Sequence, residues 1–307
     1  MSNYLPLVTV NILSYNRRDE LRNTLTKVYE QDYKNIEVIV VDNASSDGSP
    51  EMVANEFPTV ILIRMQKNIG IAGWNEGFKI AKGEYVLVLD DDSYPLNSTI
   101  FSGLREFLNK DIAIVALRIF NNYLNRNETE WMEFSCNSFI GCGALIKKDI
   151  FNKVGYYSAD IFLYHNELDL SIKIIDTGFK IAYAKESIII HQMSNSHRGK
   201  LTDNKLTSKR SYYWVFVSHS VFLIHNFSFL TGIKIFGKLF INRLIIALIF
   251  NYWTEFLSAL ATIMKRFNHF RLERRVVSSK TELLYTKIIP FVDRDFFPNF
   301  KKPSLFK

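Results

Sequence analysis

The sequence predicts an α/β fold, a mostly parallel sheet flanked by helices, followed by a basic, aromatic-rich helical region. Three observations predict it. Over the first 120 residues, short continuous apolar runs alternate with stretches of helical periodicity. Strands covered on both faces read as unbroken hydrophobic runs, and repeated βα alternation is the mark of a parallel sheet. The charge then changes sign along the chain: residues 1–197 carry 19 Lys and Arg against 25 Asp and Glu, whereas residues 198–307 carry 19 against 6.

Leu7 to Leu13 is the first apolar, β-rich run, and Arg17 to Gln31 follows with Leu21, Leu25, Val28 and Tyr29 at helical spacing. Ile36 to Val41 is a continuous strand ending at Asp42; Ser49 to Phe57 can form a short helix, and Val60 to Ile63 another strand. Gly73 to Ala81 reads as a helix and Tyr85 to Leu89 as a buried strand that enters Asp90-Asp91-Asp92. Functional residues of such sheets gather at the carboxyl ends of strands. Here those ends are Ser14-Tyr15-Asn16, Asp42-Asn43 and Asp90-Asp91-Asp92, expected along one rim. Further on, Phe139 to Ile146 reads as a strand in which Gly141-Cys142-Gly143 leaves room beside the backbone. Asn166 to Thr177 is a helix stopped by Gly178, and Ser187 to Ile190 a short strand ending at His191.

We expect two parts, a catalytic domain over 1–197 and a helical region over 198–307. At 48% hydrophobic and 22% charged residues the composition is that of a globular chain. Cys136 and Cys142 lack the Cys or His pair that would complete a four-ligand site, and read as small buried hydrophobes of a reduced cytoplasm. Met1 to Pro6 does not resemble a signal peptide. In the basic region Tyr212 to Leu230 has no charged side chain, while Lys234, Lys238 and Asn242 set a narrow polar stripe on an apolar helix. Asn251, Glu255, Ser258 and Thr262 set a second. Wide apolar faces with basic flanks suit a helix lying in a membrane interface. Tyr212 to Leu230 is also long enough to span, and packing against the first domain or a second copy of the chain, in a homo-oligomer, is the third alternative. Charges interleaved with apolar runs favour a membrane surface over nucleic acid.

The strongest chemical signal is Asp90-Asp91-Asp92. Three carboxylates at the end of a buried strand repel one another, and a divalent cation relieves that cost. Mg²⁺ takes hard oxygen ligands, typically one or two carboxylates together with substrate phosphates. Asp42 can accept an N–H from a pyrimidine ring or hold a ribose; it can equally close an Asx turn, since Asn43-Ala44-Ser45-Ser46-Asp47-Gly48 has turn chemistry. The stretch Asn68 to Gly77 is neither a P-loop nor a dinucleotide fingerprint. Its glycines would admit a ligand lying over Asp42 and Asp90. Glu167 and Asp169, two apart at a helix start, point in different directions, so one faces the reaction and the other caps or pairs.

Taken in order, Val8–Arg17, Val41–Gly48, Asn68–Gly77, Leu89–Asp92, Gly141-Cys142-Gly143, Asn166–Leu170 and His191 resemble glycosyltransferase family 2 over roughly residues 5–195. Within it they look most like the rhamnosyl- and galactofuranosyltransferase-like branch that makes bacterial cell-surface polysaccharides. The resemblance implies a GT-A fold and inverting transfer of a sugar from a nucleotide diphosphate, with Mg²⁺ or Mn²⁺. Carried over by position, it implies that Asp42 contacts the base, with Ser14, Tyr15 and Arg17 nearby, and that Asn68 and Asn75 border the nucleotide. It puts Asp90, with Asp91 beside it, by the ribose and metal, Asp92 on the metal, and His191 as a further ligand or phosphate neighbour. The family's Glu-Asp-x-Asp motif falls on Asn166, Glu167, Leu168 and Asp169, so Glu167 takes the place of the catalytic aspartate, and Asp169 is the second candidate base. The basic region points to a lipid-linked glycan acceptor at the inner face of the cell membrane. Two rivals are a non-catalytic nucleotide-sugar-binding scaffold and a sugar nucleotidyltransferase. The latter would want a glycine-rich phosphate loop, and Ser14-Tyr15-Asn16-Arg17-Arg18 has no glycine.

Overall fold

The unbroken apolar runs become the middle of a nine-stranded sheet. β1 (Val8–Ser14), β2 (Ile36–Asp42), β3 (Ile61–Arg64) and β4 (Tyr85–Asp90) run parallel in the order β3-β2-β1-β4. The sheet continues through β8 (Ala144–Lys147), β6 (Ile112–Asn121), β9 (Lys180–His191) and β5 (Ser93–Pro95), with β7 (Arg126–Asn127) paired to β6. β8 is antiparallel to both its neighbours, while β6 and β9 run parallel. The computed structural model describes residues 5–133, 136–192 and 208–292. The chain divides into two compact units, Met1–Ser194 and Asn195–Lys307.

Strand side chains alternate between two apolar layers. Val38 and Val40 face one, with Leu21, Leu25 and Val28 of α1 (Arg18–Glu30); α2 (Ser49–Glu56) and α4 (Thr99–Glu106) complete that layer. Ile39 and Val41 face the other, with Trp74 and Phe78 of α3 (Trp74–Ile80); α5 (Phe151–Val154) and α6 (Asn166–Asp176) close it.

Two expected strands come out differently. Only Ala144–Lys147 of the Phe139–Ile146 run is strand, because Gly143 N–H bonds back to Ile140 O at 3.1 Å and turns the chain out of the ladder. β9 is longer than the expected Ser187–Ile190, because it pairs with most of β6 and passes a register shift between Leu117 and Arg118.

In the second unit four helices follow: α7 (Lys209–Asn226), α8 (Phe229–Phe250), α9 (Trp253–Leu272) and α10 (Ser279–Val292). Ser208 caps α7 by accepting Ser211 N–H at 3.2 Å. After its first turn α7 is buried nearly all round, as a helix hydrophobic on every side should be. Phe216 stacks on Phe236 and Phe256, and Tyr212 Oη donates to Arg243 O at 2.7 Å. The uncharged run from Tyr212 is therefore a packed core helix and not an interfacial one. It ends at Phe227, and Ser228 opens the next helix with its N–H and hydroxyl on the Glu282 carboxylate at 2.7 and 2.8 Å. No helix among the described residues is long and apolar enough to cross a membrane, so the spanning alternative has no support.

Candidate active site

Strand register builds the rim that the sequence predicts. Ser14 lies opposite Asp42, and Leu13 opposite Asp90, so three carboxyl ends stand side by side. From the far side of the sheet β5 pairs Ser93 with His191, and Gln192 N–H bonds Asp92 O at 2.8 Å; this brings His191 to the aspartate triplet. The loops after β1 and β2 are tied together: Asn16 N–H donates to Ser45 Oγ at 2.9 Å, and Ser46 N–H to Asn16 Oδ1 at 2.7 Å.

Within the triplet each carboxylate has its own surroundings. Arg17 Nη1 lies 2.9 Å from Asp91 Oδ1 and 2.6 Å from Asp92 Oδ2, and Tyr15 N–H donates to Asp91 Oδ2 at 3.1 Å. The Tyr15 ring itself is exposed. Burial, opposed by Arg17 and helped by the neighbouring aspartates, lifts the Asp91 carboxyl to about 7. Asp91 is thus an inward-facing member that carries the Arg17 side chain, while Asp90 keeps some access to solvent. His191 Nδ1 is 2.8 Å from Glu128 Oε2, and Nε2 is 3.4 Å from Asp92 Oδ1. Burial disfavours the charged imidazole, but the hydrogen bonds to Asp92 and Glu128 outweigh it and bring His191 to about 9.

Asp42 closes a turn with one oxygen and keeps the other unpaired. Its Oδ2 accepts Ser45 N–H at 3.0 Å in an Asx turn. Its Oδ1 is buried without a partner among the described residues. Ser14 Oγ is likewise buried and unpartnered beside it.

Other sequence-predicted residues turn to the protein. Asn75 Nδ2 donates to Tyr157 O at 2.9 Å while its Oδ1 accepts Tyr157 N–H at 3.1 Å, so its amide clamps a backbone. Asn68 Oδ1 accepts from Asn43 Nδ2 and from Gly70 N–H, at 3.0 and 2.8 Å, and shapes its own loop. Two glycines of this loop lie close against the fold itself. Gly70, at φ +68°, would put a Cβ 2.1 Å from Phe162 O, and a Cβ on Gly77 would meet Asn11 Oδ1 at 2.1 Å. Asp169 is fully buried, with Lys173 Nζ 2.5 Å from its Oδ2 in an i,i+4 ion pair.

Glu167 is the member of that pair that turns to the site. Its Oε1 accepts Gly141 N–H at 3.1 Å, and a Cβ on Gly141 would lie 2.9 Å from that oxygen and 3.1 Å from the Trp74 ring. Desolvation, with a smaller push from Asp90, raises the Glu167 carboxyl to about 7 although Gly141 N–H opposes it. A carboxylate poised near neutrality beside a rim of acidic strand ends is equipped to take a proton.

Two residues escape the sequence reading. Cys142 lies with Asp90 and His191 so that one ligand atom from each falls within 4.8 Å of the others. Glu128 holds the far nitrogen of His191. The pair of glycines around Cys142 is the one local sign of special packing there; nothing local marks Glu128. The donor set fits a divalent cation: oxygen from Asp90, nitrogen from a carboxylate-oriented His191 and sulfur from Cys142.

Known proteins resemble the chain in sequence and in fold. The chain is 26% identical over 212 residues, covering 66% of it and 82% of the relative, to the UDP-Glc:alpha-D-GlcNAc-diphosphoundecaprenol beta-1,3-glucosyltransferase WfaP of Escherichia coli. It is 27% identical over 200 residues to the poly-beta-1,6-N-acetyl-D-glucosamine synthase of Staphylococcus aureus, covering 57% of this chain and 47% of that one. Among solved structures, the mannosyltransferase PcManGT of Pyrobaculum calidifontis, in complex with GDP-Man and Mn²⁺, superposes with a TM-score of 0.57 at 19% identity. It covers 94% of this chain and 81% of its own. The likeness is one of fold, a GT-A sheet flanked by helices. The profile of glycosyl transferase family 2 matches residues 9–172, more than half of the chain, and the chain belongs to that family.

Proposed function

We propose that this glycosyltransferase moves a sugar, with inversion, from a UDP- or dTDP-sugar to a hydroxyl of a lipid-linked glycan acceptor during cell-surface polysaccharide synthesis. The observation that carries the reading is Glu167, lifted to about 7, beside Asp90 and braced by Gly141. In this scheme Glu167 removes the proton of the acceptor hydroxyl as that oxygen attacks the anomeric carbon. The bond from that carbon to the diphosphate breaks on the opposite face, and the nucleoside diphosphate leaves. General-base assistance of this kind is worth roughly 10²–10⁴-fold. Asp42 Oδ1 accepts the ring N–H of the pyrimidine. Asp90, Asp92 and His191 would hold Mg²⁺ or Mn²⁺, which when bound supplies the positive charge that neutralises the departing diphosphate. Arg17 keeps Asp91 and Asp92 in place. The similarity to an enzyme named for a diphosphoundecaprenol-linked sugar acceptor supports the lipid-linked acceptor.

The second unit supports a place at an anionic membrane surface. Leu230, Ile233, Ile241, Ile245 and Leu248 form an exposed stripe along α8, and Lys234 and Lys238 are exposed at its N-terminal half. Trp253, Leu257 and Met264 are exposed on α9. Large apolar side chains in rows beside basic ones match an interface of acyl chains and anionic headgroups.

The test is a thermal-shift and donor-hydrolysis screen of the full chain against UDP-, dTDP- and GDP-sugars, with and without Mn²⁺ or Mg²⁺. A cation-dependent shift with one donor and slow release of its nucleotide is the expected result. Folded protein that responds to no donor would turn the reading toward a non-catalytic scaffold.

A further inference from the structure

The reading above leaves Cys142 without a role, and this is the residue that the structure moves furthest from its expected one. A buried cysteine is ordinarily a small hydrophobe. Cys142 is 2% exposed and belongs to the apolar layer against α1, yet its sulfur is a free thiol, and ligand atoms of Asp90, Cys142 and His191 lie within 4.8 Å of one another. No hydrogen bond engages the sulfur among the described residues. Two further features point the site at a cation. Glu128 holds His191 by Nδ1 at 2.8 Å, the outer carboxylate contact that orients a ligating histidine, and turns Nε2 toward the aspartate triplet, 3.4 Å from Asp92 Oδ1. The chain on either side of the cysteine is also fixed, since Gly141 N–H is bonded to Glu167 and Gly143 N–H to Ile140 O.

We propose that Cys142 is a metal ligand, and that with Asp90 and His191 it gives this enzyme a mixed oxygen, nitrogen and sulfur site for Mn²⁺, Co²⁺ or Zn²⁺ in preference to Mg²⁺. The proposal rests on the metal-dependent reading above. Sulfur is a soft donor that Mg²⁺ ignores and later first-row cations accept, with affinity rising from Mn²⁺ through Co²⁺. On binding, the S–H bond breaks heterolytically, the sulfur pair goes to the metal and one proton leaves to solvent. Coordination to a divalent cation deprotonates a thiol outright.

The experiment titrates the full chain, without nucleotide, with Co²⁺ and follows the sulfur-to-cobalt charge-transfer band in the near ultraviolet. Wild type and Cys136→Ser should show the band. Cys142→Ser and Cys142→Ala should lack it and bind Co²⁺ at least about 10-fold more weakly, the lower end of what outer contacts to a metal are worth. Mg²⁺ affinity should be the same in all four proteins. Cys142→Ala removes the sulfur without burying a new hydroxyl, and a cation-free melt of each variant establishes that it is folded. An undiminished band in the Cys142 variants overturns the proposal, as does wild-type protein that binds Co²⁺ with no band or fails to bind it. The donor screen separates the two readings: a Mn²⁺-dependent shift with a nucleotide sugar but no sulfur band sinks the Cys142 ligand and leaves the transferase mechanism standing.

Discussion

Replacing Glu167 with glutamine keeps the shape of the side chain and removes its charge, and the structure assigns opposite signs to the effects on rate and stability. The carboxyl is half-buried and raised from its ordinary 4.5 to about 7, first by desolvation and then by Asp90. A displacement of that size corresponds to at most about 3 kcal/mol, and residual solvent access at the side chain brings the expectation to about 2 kcal/mol. Below pH 4.5 the folded and unfolded chains both keep the proton, and the substitution gains nothing. Between 4.5 and 7 the unfolded carboxylate ionises first, so the wild type loses stability as pH rises; above 7 the loss is complete. Glu167→Gln should therefore melt with wild type at low pH and about 4–8 °C above it at pH 8, in chelator so that no cation compensates the charge. The glutamine Oε1 can still accept Gly141 N–H, so that contact does not obscure the comparison. Sugar transfer should fall by roughly 10²–10⁴, with donor binding kept. Melting curves from pH 5 to 8 and a transfer assay together decide the matter. A stability difference that does not vary with pH, or a variant that turns over at the wild-type rate, would refute the reasoning.

Three further outcomes follow from the same geometry. Arg17→Met strips the counter-charge from Asp91 and Asp92; in cation-free protein at pH 8 it should cost about 3 kcal/mol. The cost should shrink below pH 7 as Asp91 takes up a proton, which denaturant titrations at both pH values would show. Gly141→Ala places a methyl 2.9 Å from Glu167 Oε1 and 3.1 Å from Trp74, so it should lower turnover by about 10-fold or more while far-UV circular dichroism stays unchanged. Replacing Ile233, Ile241 and Leu248 together by aspartate should abolish co-sedimentation with anionic vesicles and leave hydrolysis of a nucleotide sugar intact; unchanged sedimentation would remove α8 as the membrane-facing element.

The sequence by itself determined the elements and the rim. Continuous apolar runs at Val8, Ile36 and Tyr85 could be little other than strands buried on both faces, and right-handed βα alternation then aligns their carboxyl ends. Ser14, Asp42 and Asp90 were therefore legible as neighbours from local pattern alone. The offset of two between Glu167 and Asp169 carried the fact that one would point away, though not which; the Lys173 ion pair decided that.

Tertiary structure decided whatever depends on residues distant along the chain. Asn68 and Asn75 carry the same amide, and tertiary packing gave them different partners, the Asn43 side chain for one and the Tyr157 backbone for the other. Tyr212–Leu230 has the composition of an interfacial or spanning helix. The Phe236 and Phe256 rings on Phe216 made the helix that covers most of this run a core element, and left exposed faces to α8 and α9. Cys142 has no local partner for a metal site, and the antiparallel return of β8 beside β4 together with the long parallel pairing of β9 on β6 brings Asp90 and His191 to it. Local chemistry sets turns and periodicity, but the distance between two ligands is a property of strand register, and register is settled only when the whole sheet closes on its two apolar layers.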